Sequence, residues 1–199
     1  RLRNHGVKAT PDAVARLTQR IEGNLLAAAQ EIDKLALLVQ GDGGAVKTLD
    51  DKVVVITGGS SGIGEAAALR VAEAGGKVVI VARDEEKLAE VRAKIAAMGG
   101  FAKTYSCDLG DYAANDKLAK DILKEFGHVD VLVNNAGRSI RRSLALSYDR
   151  FHDFERTMQL NYFACVRLTM NLLPSMTARK DGHVINVSSI GVLTNAPRF

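Results

Sequence analysis

The sequence predicts an α/β protein built on a doubly wound parallel sheet, and three observations lead to this. From residue 52 onward, five short apolar runs alternate with helical patterns. The runs are continuous and β-branched, which is typical of strands that are covered by helices on both faces. A glycine-rich stretch, "TGGSSGIG", lies between the first strand and the first helix. Right-handed crossovers then predict the strand order 3-2-1-4-5, with a ligand crevice where strands 1 and 4 end.

Each predicted strand is a β-branched run, and each predicted helix carries apolar residues at a spacing of three or four. "KVVVIT" (52–57) precedes a helix over 62–74, and "KVVIVA" (77–82) precedes one over 84–98. "AKTYSC" (102–107) leads to a helix over 112–126. "VDVLVN" (129–134) leads, after a loop, to a long helical pattern that ends near residue 179. "HVINV" (183–187) is predicted to be a buried strand that closes the series.

Residues 1–46 are predicted to form a short two-helix segment that precedes the sheet. Thr10 and Pro11 are typical of a helix start, and "NLLAAAQEIDKLALLVQ" predicts a second helix that "GDGG" ends. Two helices of this length cannot bury their apolar faces alone, so they must pack on something else. The predicted organisation is therefore a helical segment at 1–46, a junction at 47–51 and an α/β domain at 52–199.

Composition excludes several classes of protein. A hydrophobic content of 47% is too high for a disordered chain. The net charge is +4, and the largest basic cluster, Arg138, Arg141 and Arg142, is too small for a nucleic-acid surface. The histidines lack metal-ligand spacing, so no metal site is predicted. The two cysteines, Cys107 and Cys165, lie in apolar runs, which favours free buried thiols over a disulfide. The sequence shows no membrane span and no signal peptide, and a cytoplasmic location is expected.

The glycine-rich turn, Thr57 to Gly64, predicts a dinucleotide site. Gly58 allows the tight turn, Gly62 lets backbone N–H groups approach a pyrophosphate, and Gly64 lets the helix pack closely on the sheet. The intervening Ser60, Ser61 and Ile63 complete the predicted cofactor contacts. The alternative is that the glycines serve the turn alone.

The end of strand 2 predicts which dinucleotide is bound. An acidic residue there would bond the ribose 2′-hydroxyl of NAD, but this strand ends in Ala82 and Arg83 follows. A guanidinium can hold a 2′-phosphate through two hydrogen bonds, so the sequence favours NADP(H). The alternative is that Arg83 is a solvated loop residue, or pairs with Asp84 or Glu86.

With "CDL" (107–109), "NNAG" (134–137), "LNYF" (160–163) and "INVSS" (185–189), the stretch from about residue 50 resembles the short-chain dehydrogenase/reductase family, whose fold is a Rossmann-type sheet. The resemblance implies that Asp108, beside Leu109, holds the adenine amino group. It also implies that Asn135, with Ala136 and Gly137, lies beside the cofactor. Asn161 would join a proton relay and Ser189 would bond the substrate carbonyl. The alternatives are a helix N-cap for Asp108 and a buried amide bonded to backbone for Asn161.

The same region resembles the reductase domain of bacterial fatty acyl-CoA reductases, which implies hydride transfer from NADPH to an acyl thioester or another carbonyl. Arg138, Arg141 and Arg142 would then meet the phosphates of CoA, or form an ordinary solvated loop. The family's Tyr-x-x-x-Lys, which follows the serine, has no match in this sequence. We therefore expect a sheet that is truncated at its C-terminus and a chain that is catalytically incomplete. A homo-oligomer is left open.

Residues 1–46, and "EGNLLAAAQEIDKL" above all, resemble part of the delta subunit of the bacterial DNA polymerase III clamp loader. This likeness implies a second function of another class, an interaction module that binds clamp-loader subunits. The join is expected to be an accidental fusion, with a genuine helical extension as the alternative.

Overall fold

The computed structural model describes residues 49–140 and 142–189. The predictions for residues 1–46 lie outside the described residues, as do Arg141 and residues 190–199. The predicted domain boundaries therefore stay a prediction, and the architecture below is that of the α/β part.

A parallel sheet of five strands forms the centre of the described chain, in the order β3-β2-β1-β4-β5. Its strands are β1 (Val53–Thr57), β2 (Lys77–Ala82), β3 (Phe101–Ser106), β4 (Val131–Asn134) and β5 (His183–Asn186). The predicted strand order is confirmed. Register places Thr57 opposite Val81 and Ile56 opposite Val133, so β1, β2 and β4 end at one edge of the sheet.

The helices follow the prediction until the last segment. They are α1 (Gly62–Glu73), α2 (Glu85–Ala97), α3 (Tyr112–Phe126), α4 (Phe151–Met158) and α5 (Cys165–Arg179), with a 3₁₀ turn at Leu144–Leu146. The single long helical pattern before residue 179 is interrupted, because a π-helical segment, Gln159–Ala164, joins α4 to α5. A π-helical turn adds a residue without changing the apolar periodicity enough to be seen in the sequence.

Side-chain caps set where two of the helices begin. The Asp84 carboxylate accepts a hydrogen bond from the Lys87 backbone N–H, 3.1 Å away, and so starts α2. Asp111 starts α3 by accepting from the N–H groups of Ala113 (2.9 Å) and Ala114 (3.2 Å). Each cap satisfies donors that a helix start leaves without partners.

Alternate residues of the central strands enter two separate cores, one on each face of the sheet. Val53 and Val55 pack with residues of α3 and α5, whereas Val54 and Ile56 pack with residues of α1 and α2. All four side chains are at most 3% exposed. Burial on both faces explains why these strands are continuously apolar, and it confirms the doubly wound arrangement.

The prediction that the last strand is buried was wrong for the described chain. All four residues of β5 are exposed, including Ile185 at 49%. The reason is position: among the described strands β5 lies outermost and pairs with β4 alone, and none of its residues belongs to either core. A β-branched run signals a strand but does not tell which faces are covered.

Asp130 joins four elements at the amino ends of the strands. Its carboxylate, 4% exposed, accepts from the Val53 N–H (2.8 Å), from Arg179 (2.7 Å) and from Lys52 (3.4 Å). Its carbonyl accepts from the His183 N–H at the start of β5 (2.8 Å). Burial alone would raise the pKa of Asp130, but the hydrogen bonds from Arg179, Val53 and Lys52 outweigh it and lower the pKa to about 2.

We expect Asp130→Asn to lower the free energy of unfolding by about 2 kcal/mol at pH 7, because a single amide oxygen replaces a carboxylate that serves three donors. The folded-state pKa lies below the unfolded-state value, so the stabilisation is present above about pH 4 and is lost as the pH falls toward 2. Urea unfolding at pH 7 and at pH 3 measures both effects, and the difference between the variant and the wild type should shrink at pH 3.

Asp181→Asn is the matched control. Asp181 contacts the same Lys52 (3.2 Å) and Arg179 (3.6 Å) but is 50% exposed. Exposed pairs of this kind contribute little, about 0.5 kcal/mol. Equal losses for the two variants would show that burial of Asp130 is not what makes its contacts stabilising.

Candidate cofactor site

Thr57 joins the turn after β1 to the loop after β4. Its side chain is buried, and its Oγ1 donates to the Val133 carbonyl at 3.2 Å. The same oxygen accepts from the backbone N–H groups of Asn135 and Ala136, each 3.0 Å away. Thr57 thus uses both its donor and its acceptor capacity to hold the "NNAG" loop against the glycine turn.

Asn135 closes the same junction from the other side. Its Nδ2 donates to the carbonyl of Thr57 at 2.9 Å and to that of Gly58 at 3.2 Å. The amide therefore fixes the backbone of the glycine turn. Asn135, Ala136 and Gly137 all line the adjoining cavity, and the implied position of Asn135 beside a cofactor stays a prediction.

Two glycines permit this close approach. Gly58 has φ +65°, and a Cβ atom there would lie 2.9 Å from the Ala136 Cα. A Cβ atom at Gly64 would overlap the Gly58 carbonyl oxygen and the Asn135 amide. Gly64 therefore serves contact with the turn and with Asn135, which refines the predicted role in packing the helix on the sheet.

Gly62 differs from the other glycines of the turn because open space surrounds it. Its φ is +58°, and a Cβ atom there would meet nothing within 4 Å. It is the first residue of α1, and the side chain of the N-cap Ser61 makes no capping hydrogen bond. The start of α1 thus lacks a side-chain cap and has open space beside Gly62, and an uncapped helix start of this kind can bind phosphate.

A cavity of about 450 Å³ lies against this turn and the ends of β2, β3 and β4. Most of the predicted cofactor residues line it, namely Gly58, Ser60, Ser61, Ile63, Arg83, Asp108, Leu109, Asn135, Ala136 and Gly137. Thr57, Gly62 and Gly64 do not line the cavity, although their neighbours in the glycine turn do. The sequence reasoning missed Lys87 and Leu160, which also line the cavity.

Gly59 was missed as well. A Cβ atom there would overlap the Ile80 side chain of β2, so only glycine fits between the turn and the sheet. Two successive glycines after strand 1 indicate close packing at this turn. The sequence does not show, however, that Gly59 is the one that packs against β2.

Arg83 is exposed at the end of β2, beside the cavity. Within the described parts of the chain its guanidinium forms no ion pair, because Asp84 pairs with Lys87 instead, at 3.2 Å. The alternative in which Arg83 pairs with Asp84 or Glu86 is therefore not what the structure shows. A guanidinium without an internal acceptor is left to face the cavity.

Asp108 lies in the turn after β3, where its carboxylate accepts from the Gly110 N–H at 3.0 Å. The N-cap of α3 is Asp111, so the alternative reading of Asp108 as a helix cap was wrong. Its neighbour Leu109 is buried, and both residues line the cavity. Burial, together with Asp108 and Asp111, raises the pKa of the adjacent Cys107 thiol to about 11, so that thiol stays neutral near pH 7.

Asn161 lies in the π-helical segment, and both the oxygen and the nitrogen of its side-chain amide form hydrogen bonds with the backbone of Arg138. Its Oδ1 accepts from the Arg138 N–H and its Nδ2 donates to the Arg138 carbonyl, both at 2.8 Å. The alternative of a buried amide bonded to backbone was half right, because the amide is so bonded but the residue is exposed. Asn161 thereby positions the loop at Gly137, which lines the cofactor cavity.

Ser189 lies just beyond β5 and is exposed. The Val187 N–H donates to the Asn134 carbonyl at 2.9 Å, which continues the pairing of β5 with β4 toward the serine. Ser189 therefore lies at the sheet edge that carries the glycine turn. Neither Ser189 nor Asn161 lines the 450 Å³ cavity, so the structure groups the cofactor residues more tightly than the two catalytic candidates.

Two further findings concern the described residues only. None of their helices has the length and apolar character needed to cross a membrane. No group of His, Cys, Asp or Glu side chains among them is placed to hold a metal ion.

Comparison with known proteins supports this reading of the α/β part. The family described as short chain dehydrogenase matches residues 52–199. A fatty acyl-CoA reductase of Acinetobacter baylyi is 60% identical over 148 residues, which are 74% of this chain and 50% of the relative. The chain thus spans about half the length of that relative. The match begins after residue 46, so the likeness of residues 1–46 to a clamp-loader subunit stays a prediction.

Two solved structures share the fold. A metagenomic short-chain oxidoreductase in complex with NADP is 38% identical, with a TM-score of 0.69 over 71% of this chain and 64% of that one. An NAD⁺-bound xylitol dehydrogenase is 27% identical, with a TM-score of 0.72 over 76% of this chain and 58% of that one. The sheet order, the glycine turn and the family match agree, and the chain belongs to the short-chain dehydrogenase/reductase family.

Proposed function

We propose that this chain binds NADPH and is the cofactor-binding part of a reductase of the fatty acyl-CoA reductase kind, which reduces the thioester carbonyl of an acyl-CoA to an aldehyde. The observation that carries the cofactor proposal is the guanidinium of Arg83, which lies at the cavity beside the glycine turn and has no ion-pair partner among the described residues. The 60% identity to a fatty acyl-CoA reductase supports the substrate class. Both NADP and NAD occur in similar structures, and the position of Arg83 is what supports the proposed preference for NADPH.

The residues of the cavity suit the three parts of a dinucleotide. The open space at Gly62 and the first N–H groups of α1 suit the pyrophosphate. Arg83 suits a ribose 2′-phosphate, because a guanidinium donates two parallel hydrogen bonds to a phosphate. The Asp108 carboxylate, exposed in the cavity wall, suits the adenine amino group.

When bound, NADPH supplies the hydride that the carbonyl carbon accepts. The Ser189 hydroxyl is proposed to donate to the carbonyl oxygen, where negative charge develops as the hydride arrives. Asn161 binds the backbone of Arg138 and so fixes the position of the loop at Gly137 and Arg138 beside the site. Cleavage of the C–S bond, with one proton taken from solvent by the departing sulfur, would release CoA as the thiol and leave the aldehyde.

The two cysteines support a reducing compartment. Cys107 and Cys165 are both free, and burial raises the pKa of each thiol. Free structural thiols are typical of proteins that stay in the cytoplasm, which is the location we propose.

We expect the chain to bind NADPH at least about tenfold more tightly than NADH, since only NADPH offers a 2′-phosphate to Arg83. Arg83→Glu should remove this preference by weakening NADPH alone, because a carboxylate repels the phosphate. Fluorescence titration of both cofactors measures the effect. Arg92→Glu, an equal charge change on the exposed face of α2, should leave the preference intact. Equal affinities in the wild type would overturn the assignment to NADPH.

Gly62→Ala tests where the pyrophosphate lies. The variant places a methyl group in the open space at the start of α1 and forces a side-chain residue into φ +58°. Gly99→Ala is its matched control, because Gly99 has φ +77°, equally open surroundings and a place far from the cavity, between α2 and β3. Both should cost about 1 kcal/mol of stability, since both put alanine in the left-handed region.

Only Gly62→Ala should weaken the binding of NADPH, because only there does the methyl group occupy the proposed phosphate position. Thermal unfolding and cofactor titration of the two variants separate the effects. If both variants bound NADPH as the wild type does, the pyrophosphate would have to lie elsewhere.

A further inference from the structure

A second cavity, of about 620 Å³, adjoins the cofactor cavity and has not been given a role above. The two cavities share Arg83, Asp108 and Leu160 in their walls. The second one adds charged residues from three elements, namely Arg138 after β4, Asp111 before α3, and Glu155 and Arg156 on α4.

The arginines of this cavity lack internal partners. Within residues 49–140 and 142–189, the guanidinium groups of Arg138 and Arg156 take part in no ion pair or hydrogen bond, like that of Arg83. The contrast is with Arg142 and Arg150, which both pair with Asp153 on α4. Two arginines of the same region are therefore engaged by a carboxylate, while those that line the cavity are left with unused donors.

Two of the three carboxylates in the cavity are occupied by backbone donors. Asp108 accepts from the Gly110 N–H, and Asp111 accepts from the N–H groups that start α3. These carboxylates keep free lone pairs but are fixed in place, and they do not neutralise the arginines by contact. Since Arg83 and Asp108 are assigned to the cofactor, a second ligand that satisfies the rest of this lining carries phosphate oxygens for Arg138 and Arg156 and an amino or hydroxyl donor for Asp111.

The π-helical segment holds the cavity walls in position. Gln159 donates from Nε2 to the Gly110 carbonyl at 2.7 Å and accepts at Oε1 from the Tyr112 hydroxyl at 3.1 Å. Two residues further on, Asn161 forms two hydrogen bonds with the backbone of Arg138, which also lines the cavity. The cavity is thus pre-organised by backbone contacts rather than by its own charged side chains.

We propose that this second cavity binds the phosphorylated nucleotide end of the CoA thioester, with Arg138 and Arg156 on its phosphates. The proposal rests on the proposed function, and it names how the substrate is recognised. The cavity suits this end of the substrate by position, because Arg138 directly follows Gly137 of the cofactor cavity.

This assignment revises the hypothesis that Arg138, Arg141 and Arg142 meet the phosphates. Arg142 is engaged by Asp153, and Arg141 lies outside the described residues. Arg156 takes its place, because α4 brings it to the wall that also carries Arg138. The sequence offered no sign of this pairing, since eighteen positions separate the two arginines in the chain.

The test measures the binding of CoA to the complete chain saturated with NADP⁺, by calorimetry at low and moderate salt. We expect CoA to bind with an affinity that falls as salt is added, and pantetheine, which lacks the nucleotide, to bind at least about tenfold more weakly. Arg138→Gln and Arg156→Gln should each weaken CoA about fivefold to tenfold and leave NADP⁺ affinity unchanged. Arg156→Lys, which keeps the charge, should regain part of the loss.

Arg92→Gln is the control, because it removes an equal charge from the exposed face of α2, away from both cavities. Thermal unfolding of every variant checks that folding is intact. If the chain binds NADP⁺ but not CoA, or if Arg92→Gln weakens CoA as much as Arg156→Gln does, the inference is wrong and the cofactor proposal stands.

Competition gives the remaining outcomes. If CoA displaces NADP⁺ from the wild type, both ligands occupy the cofactor cavity and a separate site is excluded. If the folded chain binds neither NADP⁺ nor NADPH, the proposed function itself fails. The two failures are thus distinguished by the cofactor titration that accompanies each measurement.

Discussion

The candidate site depends on the hydrogen bonds that join the ends of β1 and β4. Thr57 and Asn135 exchange contacts across this junction, and the absence of side chains at Gly58 and Gly64 lets the two backbones come close enough to form them. The same contacts fix the backbone of the glycine turn just before α1 begins, where Ser61 makes no capping hydrogen bond. The geometry of the candidate site is therefore a consequence of how two loops pack, and not of the glycine turn alone.

Charge is distributed differently at the amino ends and at the carboxyl ends of the strands. At the amino ends of the strands, the buried Asp130 is fully matched by Arg179, Lys52 and the Val53 N–H, which stabilises the join of β1, β4 and α5. At the carboxyl ends, Arg83, Arg138 and Arg156 lack such partners among the described residues. Matched charges contribute to folding, whereas unmatched arginines around a cavity are available to bind an anionic ligand.

The π-helical segment links the two cavities. It interrupts the helix between α4 and α5, and its Gln159 and Asn161 reach opposite loops, one after β3 and one after β4. The same segment thus contacts loops that line both proposed binding sites. Such a segment is often retained at functional sites because its irregular turn redirects side chains that a regular helix would point elsewhere.

Alternation of β-branched runs with helical patterns determined the five strands and the glycine turn, because each is a local pattern with a short-range cause. The strand order followed from a general rule, the right-handed crossover between parallel strands in a doubly wound sheet. Arg83 was identifiable from its place at the end of strand 2, whereas Asp108 was singled out by the resemblance of "CDL" to the family, and both line the 450 Å³ cavity. Only the tertiary structure decided that Asn161 binds the Arg138 backbone, that β5 is exposed, and that Arg156 joins Arg138 at one cavity. These depend on which distant elements meet, and local periodicity carries no record of contacts between residues far apart in the chain.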